Sequence, residues 1–174
     1  MATEPVPSDT DEAGQREVLR HFGRDLLDIA PRIMRLETHR LAALRTPLTH
    51  RQYRILQRVG EGATSSTIIS RRANVSLAAI SESVDALTRR GLLTREPDPN
   101  DRRANLLGLT AEGRRALKAA EAALDQLSLD LADGISARTM SGALRALDRV
   151  NDNVRSQHET LEVPPTSRPA RVPD

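Results

Sequence analysis

The 174-residue sequence contains no cysteine. That excludes a disulfide framework, thiolate catalysis, a peroxide-sensing thiol and any cysteine-based zinc or iron–sulfur site. Aromatic side chains are nearly missing too: Phe22 and Tyr53 are the only two, and there is no tryptophan. No apolar run approaches the ~18–20 residues of a membrane span. The opening stretch, MATEPVPSDTDEAGQ, is acidic and lacks the basic-then-apolar order of a signal peptide. The expected setting is therefore cytoplasmic, with no membrane partner. Lysine is scarce as well, because 25 of the 26 basic residues are arginine and Lys118 stands alone. What remains for a core is chiefly 23 leucines and 22 alanines, which favours helices packed on helices over a sheet.

The chain divides by composition. Residues 1–14 hold four acids and no base, and residues 159–174 end in the proline-rich PPTSRPARVPD. Both read as disordered tails that bury too little apolar surface to offset their ordering entropy. Residues 15–45 carry Val18, Phe22, Leu26, Ile29, Ile33, Leu36, Leu41 and Leu44, mostly three or four apart. They form one face of a long helix, with a kink expected near Pro31. A second helix starts at Thr49, with Gln52 closing a capping box, and stops near Gly60 and Gly62. Ser66 is expected to cap a short helix through Ala73, with Asn74 taking a left-handed conformation at its end. Ser76 then caps a helix running to about Arg90, which Gly91 terminates. So tight a join between two helices is what a helix-turn-helix needs.

After Gly91 the period changes. Leu92–Glu96 and Asn105–Leu109 read as short strands around a turn-rich loop, so a hairpin follows the helix-turn-helix directly. Residues 46–110 thus have the layout of a winged helix. Residues 111–158 return to helix. Thr110 caps one helix with a stripe of Leu117, Ala120, Leu124, Leu127 and Leu131. Ser136 caps another with Met140, Leu144, Leu147, Val150 and Val154. The fold class is mainly α with a small β-wing: a winged helix-turn-helix flanked by long dimerisation helices.

Charge follows the same division. The whole chain is only +2, yet residues 45–115 hold 13 arginines against 7 acids. A positive field confined to the helix-turn-helix and wing is the footprint of phosphate binding. The N-terminal half of the helix that follows Ser76 is narrow and polar, which lets its backbone approach base edges in a major groove. Ser76, Ala78, Ala79, Ser81 and Glu82 are the candidate base contacts. Ser66, Arg71, Arg72, Arg89 and Arg90 are the candidate phosphate contacts, which fix register without reading sequence.

Three passages carry a resemblance to a known family. LT-x-x-Q-x-x-x-L (Leu48, Thr49, Gln52, Leu56), VD-x-L-x-x-x-GL (Val84, Asp85, Leu87, Gly91, Leu92) and the DP-x-DRR…LT-x-x-G wing span residues 48–113. Together they resemble the MarR family of bacterial transcriptional regulators. The resemblance implies a homodimer on a pseudo-palindromic double-stranded DNA operator, probed by recognition helix 76–90 in the major groove and wing 97–103 in the minor groove. It also implies action as a repressor relieved by a small-molecule ligand. By the same resemblance one wing arginine, Arg102, enters the minor groove, while Arg103 pairs with Asp85 and fixes the wing to the recognition helix. The chain departs from the family at Glu82, where a long donor is usual. A glutamate there would accept from cytosine N4 and repel phosphate.

The resemblance places a ligand cleft between dimerisation helices and winged helix, for which Met34, Arg35, His39 and Tyr53 are candidates. The four histidines show no metal-ligand spacing, and no cofactor is implied. An enzyme is disfavoured, since the chain has no glycine-rich phosphate loop and no paired nucleophile and base. The competing reading is a winged helix used only for protein–protein contact, with Glu82 disabling base reading.

Overall fold

A computed structural model of the chain describes residues 9–63, 65–73, 75–97 and 105–162. Its elements are α1 (Asp9–Ala42), α2 (His50–Gly60), α3 (Ser66–Ala73), α4 (Leu77–Arg89), β1 (Leu93–Pro97), β2 (Asn105–Leu109), α5 (Ala111–Ala132) and α6 (Ala137–Glu162). They fall into two units, one ending at Leu131 and the other starting at Ala132. No helix of the described residues is long and apolar enough to cross a membrane.

The local signals act where the sequence places them. Thr49 caps α2: its hydroxyl accepts from Gln52 N at 3.2 Å, and Gln52 Oε1 accepts from Thr49 N at 3.1 Å. Gly62 ends that segment at φ +93°, and Gly91 leaves α4 at φ +69°, a region that costs a residue with Cβ. Thr110 caps α5 by accepting from Gly113 N at 2.9 Å, and its hydroxyl donates to Gly91 O at 2.7 Å. One side chain therefore starts α5 and holds it to the end of α4.

The first unit closes around a single core. Leu41 from α1, Tyr53, Ile55, Leu56 and Val59 from α2, and Ile69 from α3 meet Ile80, Val84 and Leu87 from α4. Leu92, Leu93 and Leu107 from the hairpin, with Ala116, Leu117 and Ala120 from α5, complete it. The hairpin is antiparallel, with Leu93 opposite Leu109 and Pro97 opposite Asn105. Helix α1 is tied to α5 by Arg40 and Asp130 at 2.7 Å, and to α2 by Glu37 and His50 at 2.9 Å.

The second unit consists chiefly of α6, started by Ser136, whose hydroxyl accepts from Thr139 N at 3.2 Å. Leu144, Leu147 and Val154 on it are about half exposed.

Several boundaries differ from the sequence reading. Residues 9–14, expected in the N-terminal tail, already belong to α1. Pro31 lies inside α1, which continues on both sides of it although the missing N–H removes the bond to the carbonyl of Leu27. The cap of α3 is Ser65, whose hydroxyl accepts from Ile68 N at 3.3 Å. Ser66 is instead the first helical residue, a register that buries Ile69. Strand β1 lies one residue later than expected, because Leu92 N bonds back to Leu87 O in the turn that ends α4. Helix α6 continues to Glu162, into the expected C-terminal tail. Asn74 lies outside the described residues.

Candidate nucleic-acid interface

Helix α4 has two unlike sides. Ile80, Val84 and Leu87, at steps of four and three, face inward and are fully buried. Ala78, Glu82, Asp85 and Arg89 repeat on the opposite side; Asp85 is half-buried and the others are exposed. Ser76 caps the helix, accepting from Ala79 N at 3.3 Å. Ala79 and Ser81 flank the exposed side and are half-buried. Of the expected base contacts, the structure therefore brings Ser76, Ala78 and Glu82 to the surface, with Ala79 and Ser81 at its margin.

The expected phosphate contacts separate into two groups. Arg71 and Arg72 stand exposed on the last turn of α3, and Arg89 on the last turn of α4. Ser66 is half-buried at the start of α3. Arg90 is exposed as well, but its head is engaged by the fold: Nη1 donates to Gln52 Oε1 at 3.0 Å and Nη2 to Pro47 O at 2.6 Å. Its guanidinium braces the end of α4 against the start of α2, so the structure assigns it an internal task that its position beside Arg89 did not disclose.

Asp85 makes its ion pair with Arg95, whose Nη2 lies 2.9 Å from Oδ1. This pair joins α4 to β1. The sequence reading missed Arg95, although the signal was there: period two from buried Leu93 sets Arg95 on the same sheet face, toward the core side. Arg102 and Arg103, with the loop from residue 98 to 104, lie outside the described residues.

Arg58 was also missed. From α2 its Nη1 donates to Ile69 O and its Nη2 to Arg72 O, each at 3.2 Å. Arg72 O belongs to the last turn of α3, where helix oxygens lack intrahelical donors, and Ile69 O stands just before that turn. Arg58 thus supplies the end of α3 with donors from another helix. Burial is the main cause that lowers its pKa, with the charge of Arg54 second. No spacing in the sequence predicts such a cap.

A cavity of about 880 Å³ opens between α2, α3 and α4, with Arg51, Arg54 and Arg58 on one wall and Glu82, Ser83 and Ala86 on another. The four candidate cleft residues do not line it. Met34, Arg35 and His39 are exposed on α1, whereas Tyr53 is 7 % exposed and part of the core. Burial is the leading cause that raises the Tyr53 phenol above its ordinary value.

Three short helices, the last of them polar and small on its outer face, close against a hairpin that an ion pair fastens to that helix. The class this defines is the winged helix-turn-helix. Residues 46–104 match the family model described as the MarR family. Among solved structures, the chain is similar to FabT from Streptococcus pneumoniae in complex with DNA, at 18 % identity and a TM-score of 0.72, over 80 % of this chain and 99 % of that one. It is similar to wild-type MarR in its apo form from E. coli at 22 % identity and TM-score 0.64, over 84 % of this chain and 98 % of that one. A probable transcriptional regulator from Pseudomonas aeruginosa matches at 27 % identity and TM-score 0.61, over 74 % and 95 % of the two chains. No curated protein matches the chain in sequence. Over residues 46–104 the chain thus matches the MarR family, and its winged-helix fold is that of the MarR-family structures.

Proposed function

We propose that the protein acts as a cytoplasmic homodimer on a pseudo-palindromic operator, with α4 in the major groove and the wing in the minor groove. The observation that carries this reading is the exposed side of α4, where small and polar side chains lie between exposed arginines at the ends of α3 and α4. The likeness to FabT, whose structure is in complex with DNA, supports the same docking. Ser76, Ala78, Ala79, Ser81 and Glu82 are proposed to face base edges. Arg71, Arg72 and Arg89, with Ser66, are proposed to face phosphates.

Arg102 is proposed to enter the minor groove and Arg103 to approach the Asp85 carboxylate that Arg95 already holds. One winged helix covers about half a turn of duplex, so reading half-sites ~10 bp apart takes two. The dimer reading is supported by Val18, Leu19 and Leu27 on α1, each more than 60 % exposed, and by Leu144, Leu147 and Val154 on α6. A bound dimer occludes a promoter, so repression is the proposed sign. Release by a small molecule is proposed at the cavity beside α2, whose three arginines favour an anion.

The test is selection from a random duplex pool, followed by titration of the enriched site. A palindromic enriched site, bound by two chains, is expected. Arg102→Ala is expected to weaken that site by over ~1 kcal/mol, the scale of one groove contact. Wild-type affinity in that variant would remove the wing assignment.

A further inference from the structure

Leu77 is the first residue of α4 and is 48 % exposed, whereas Ile80, Val84 and Leu87 on the same helix are no more than 1 % exposed. It is not part of the core cluster. Its exposed neighbours Ser76 and Ala78 are too short to cover it. The sequence around it is unusual for this chain. Charged residues make up 29 % of the protein, yet none occurs between Arg72 and Glu82. Helix formation does not ask for leucine here, because glutamate or arginine serves as well, and an acid would also gain from the positive end of the helix.

The exposed tip of α4 is therefore apolar, with exposed cations on the last turn of α3. That arrangement suits an element whose flanks meet phosphates and whose tip meets something apolar. Among the groups that base pairs display in the major groove, the apolar one is the C5-methyl of thymine. We propose that Leu77 reads a thymine methyl in each half-site, and so is a specificity-determining residue. The inference rests on the proposal that α4 enters the major groove.

The experiment uses the full chain and the duplex it enriches from a random pool. Each thymine is replaced in turn by deoxyuridine, symmetrically in both half-sites, which deletes only the methyl group. One position is expected to respond. Loss of one buried methyl contact weakens binding about fourfold, so two half-sites give roughly fifteenfold. In Leu77→Ala the same duplex pair is expected to bind alike, at about the affinity wild type shows for the uracil duplex. Leu77→Met keeps an apolar tip and is expected to retain the thymine preference. Because the side chain lies outside the core, both variants are expected to keep the wild-type melting temperature.

A flat uracil scan on an enriched duplex overturns the Leu77 proposal alone. A thymine preference that persists unchanged in Leu77→Ala overturns it too. Failure to enrich any duplex overturns the groove reading, and this proposal with it.

Discussion

Arg90→Ala separates two uses of a cationic side chain on a DNA-binding surface. If Arg90 braces the fold, its loss removes the donors to Gln52 Oε1 and Pro47 O. Bonds from a charged donor are worth ~1.5–3 kcal/mol when enclosed, but both of these lie at the surface, where solvent competes for each partner. About 1 to 2 kcal/mol for the pair is the reasonable scale. Gln52 keeps its bond to Thr49 N, so the capping box survives and limits the loss. For a chain of this length the effect corresponds to a fall of roughly 3–6 °C in melting temperature.

If Arg90 instead neutralised a phosphate, its removal would leave the fold intact and reduce the slope of log K against log salt by about one unit. The two outcomes are read on one sample. Thermal unfolding by circular dichroism, at fixed protein concentration because the proposed dimer would melt by mass action, is paired with anisotropy titrations between ~50 and ~200 mM salt. We expect Arg90→Ala to lower the melting temperature and keep the salt slope. Arg71→Ala should keep the melting temperature and flatten the slope by about one unit. An Arg90→Ala protein with wild-type stability and a flattened slope would refute the bracing argument.

Arg58→Ala should destabilise by about 1–3 kcal/mol through the uncapped carbonyls of Ile69 and Arg72, measured by urea unfolding, with lysine a poor rescue because it lacks the two-pronged head. Gly113→Ala should cost more than ~2 kcal/mol, since a Cβ there would overlap Leu92 O and come to 3.0 Å from Leu92 C, both backbone atoms that cannot swing aside; a soluble, wild-type-stable variant would show that α5 slides more easily than the close approach implies. Tyr53 should impose an alkaline limit. Its phenol is raised above 10.0 in the folded chain, so the folded state holds that proton more tightly. The stability this confers is present below the unfolded value and lost as pH rises through the folded one. Absorbance titration of the phenol should begin later in the folded than in the urea-unfolded chain, and Tyr53→Phe should blunt the fall in stability above pH ~10.

Elements were legible in this sequence wherever a local chemical device sets them. The capping box of Thr49 and Gln52, the caps Ser76 and Thr110, and the glycines at 62 and 91 all act within four residues, and each falls where it was read. The misplacements have equally local causes. Ser65 and Ser66 are chemically interchangeable as caps, and only burial of Ile69 selects between them. Leu92 is held out of β1 by the bond from its N–H to Leu87 O, in the turn that ends α4.

The site was legible in a different sense. Charge counting located a cationic segment correctly, but it cannot tell where each guanidinium is used. Of the arginines in residues 45–115, Arg58 caps α3, Arg90 braces α4 and Arg95 holds Asp85, while Arg71, Arg72 and Arg89 face outward. The segment's net charge therefore overstates the number of cations offered to phosphate. Arginine suits both tasks because its head carries several donors in a rigid fork and stays charged when partly enclosed. A chain with almost no lysine has built its internal braces and its outer surface from one residue type. Consequently the salt slope of operator binding should track the outward arginines alone, and fall short of what the sequence sum of that segment suggests.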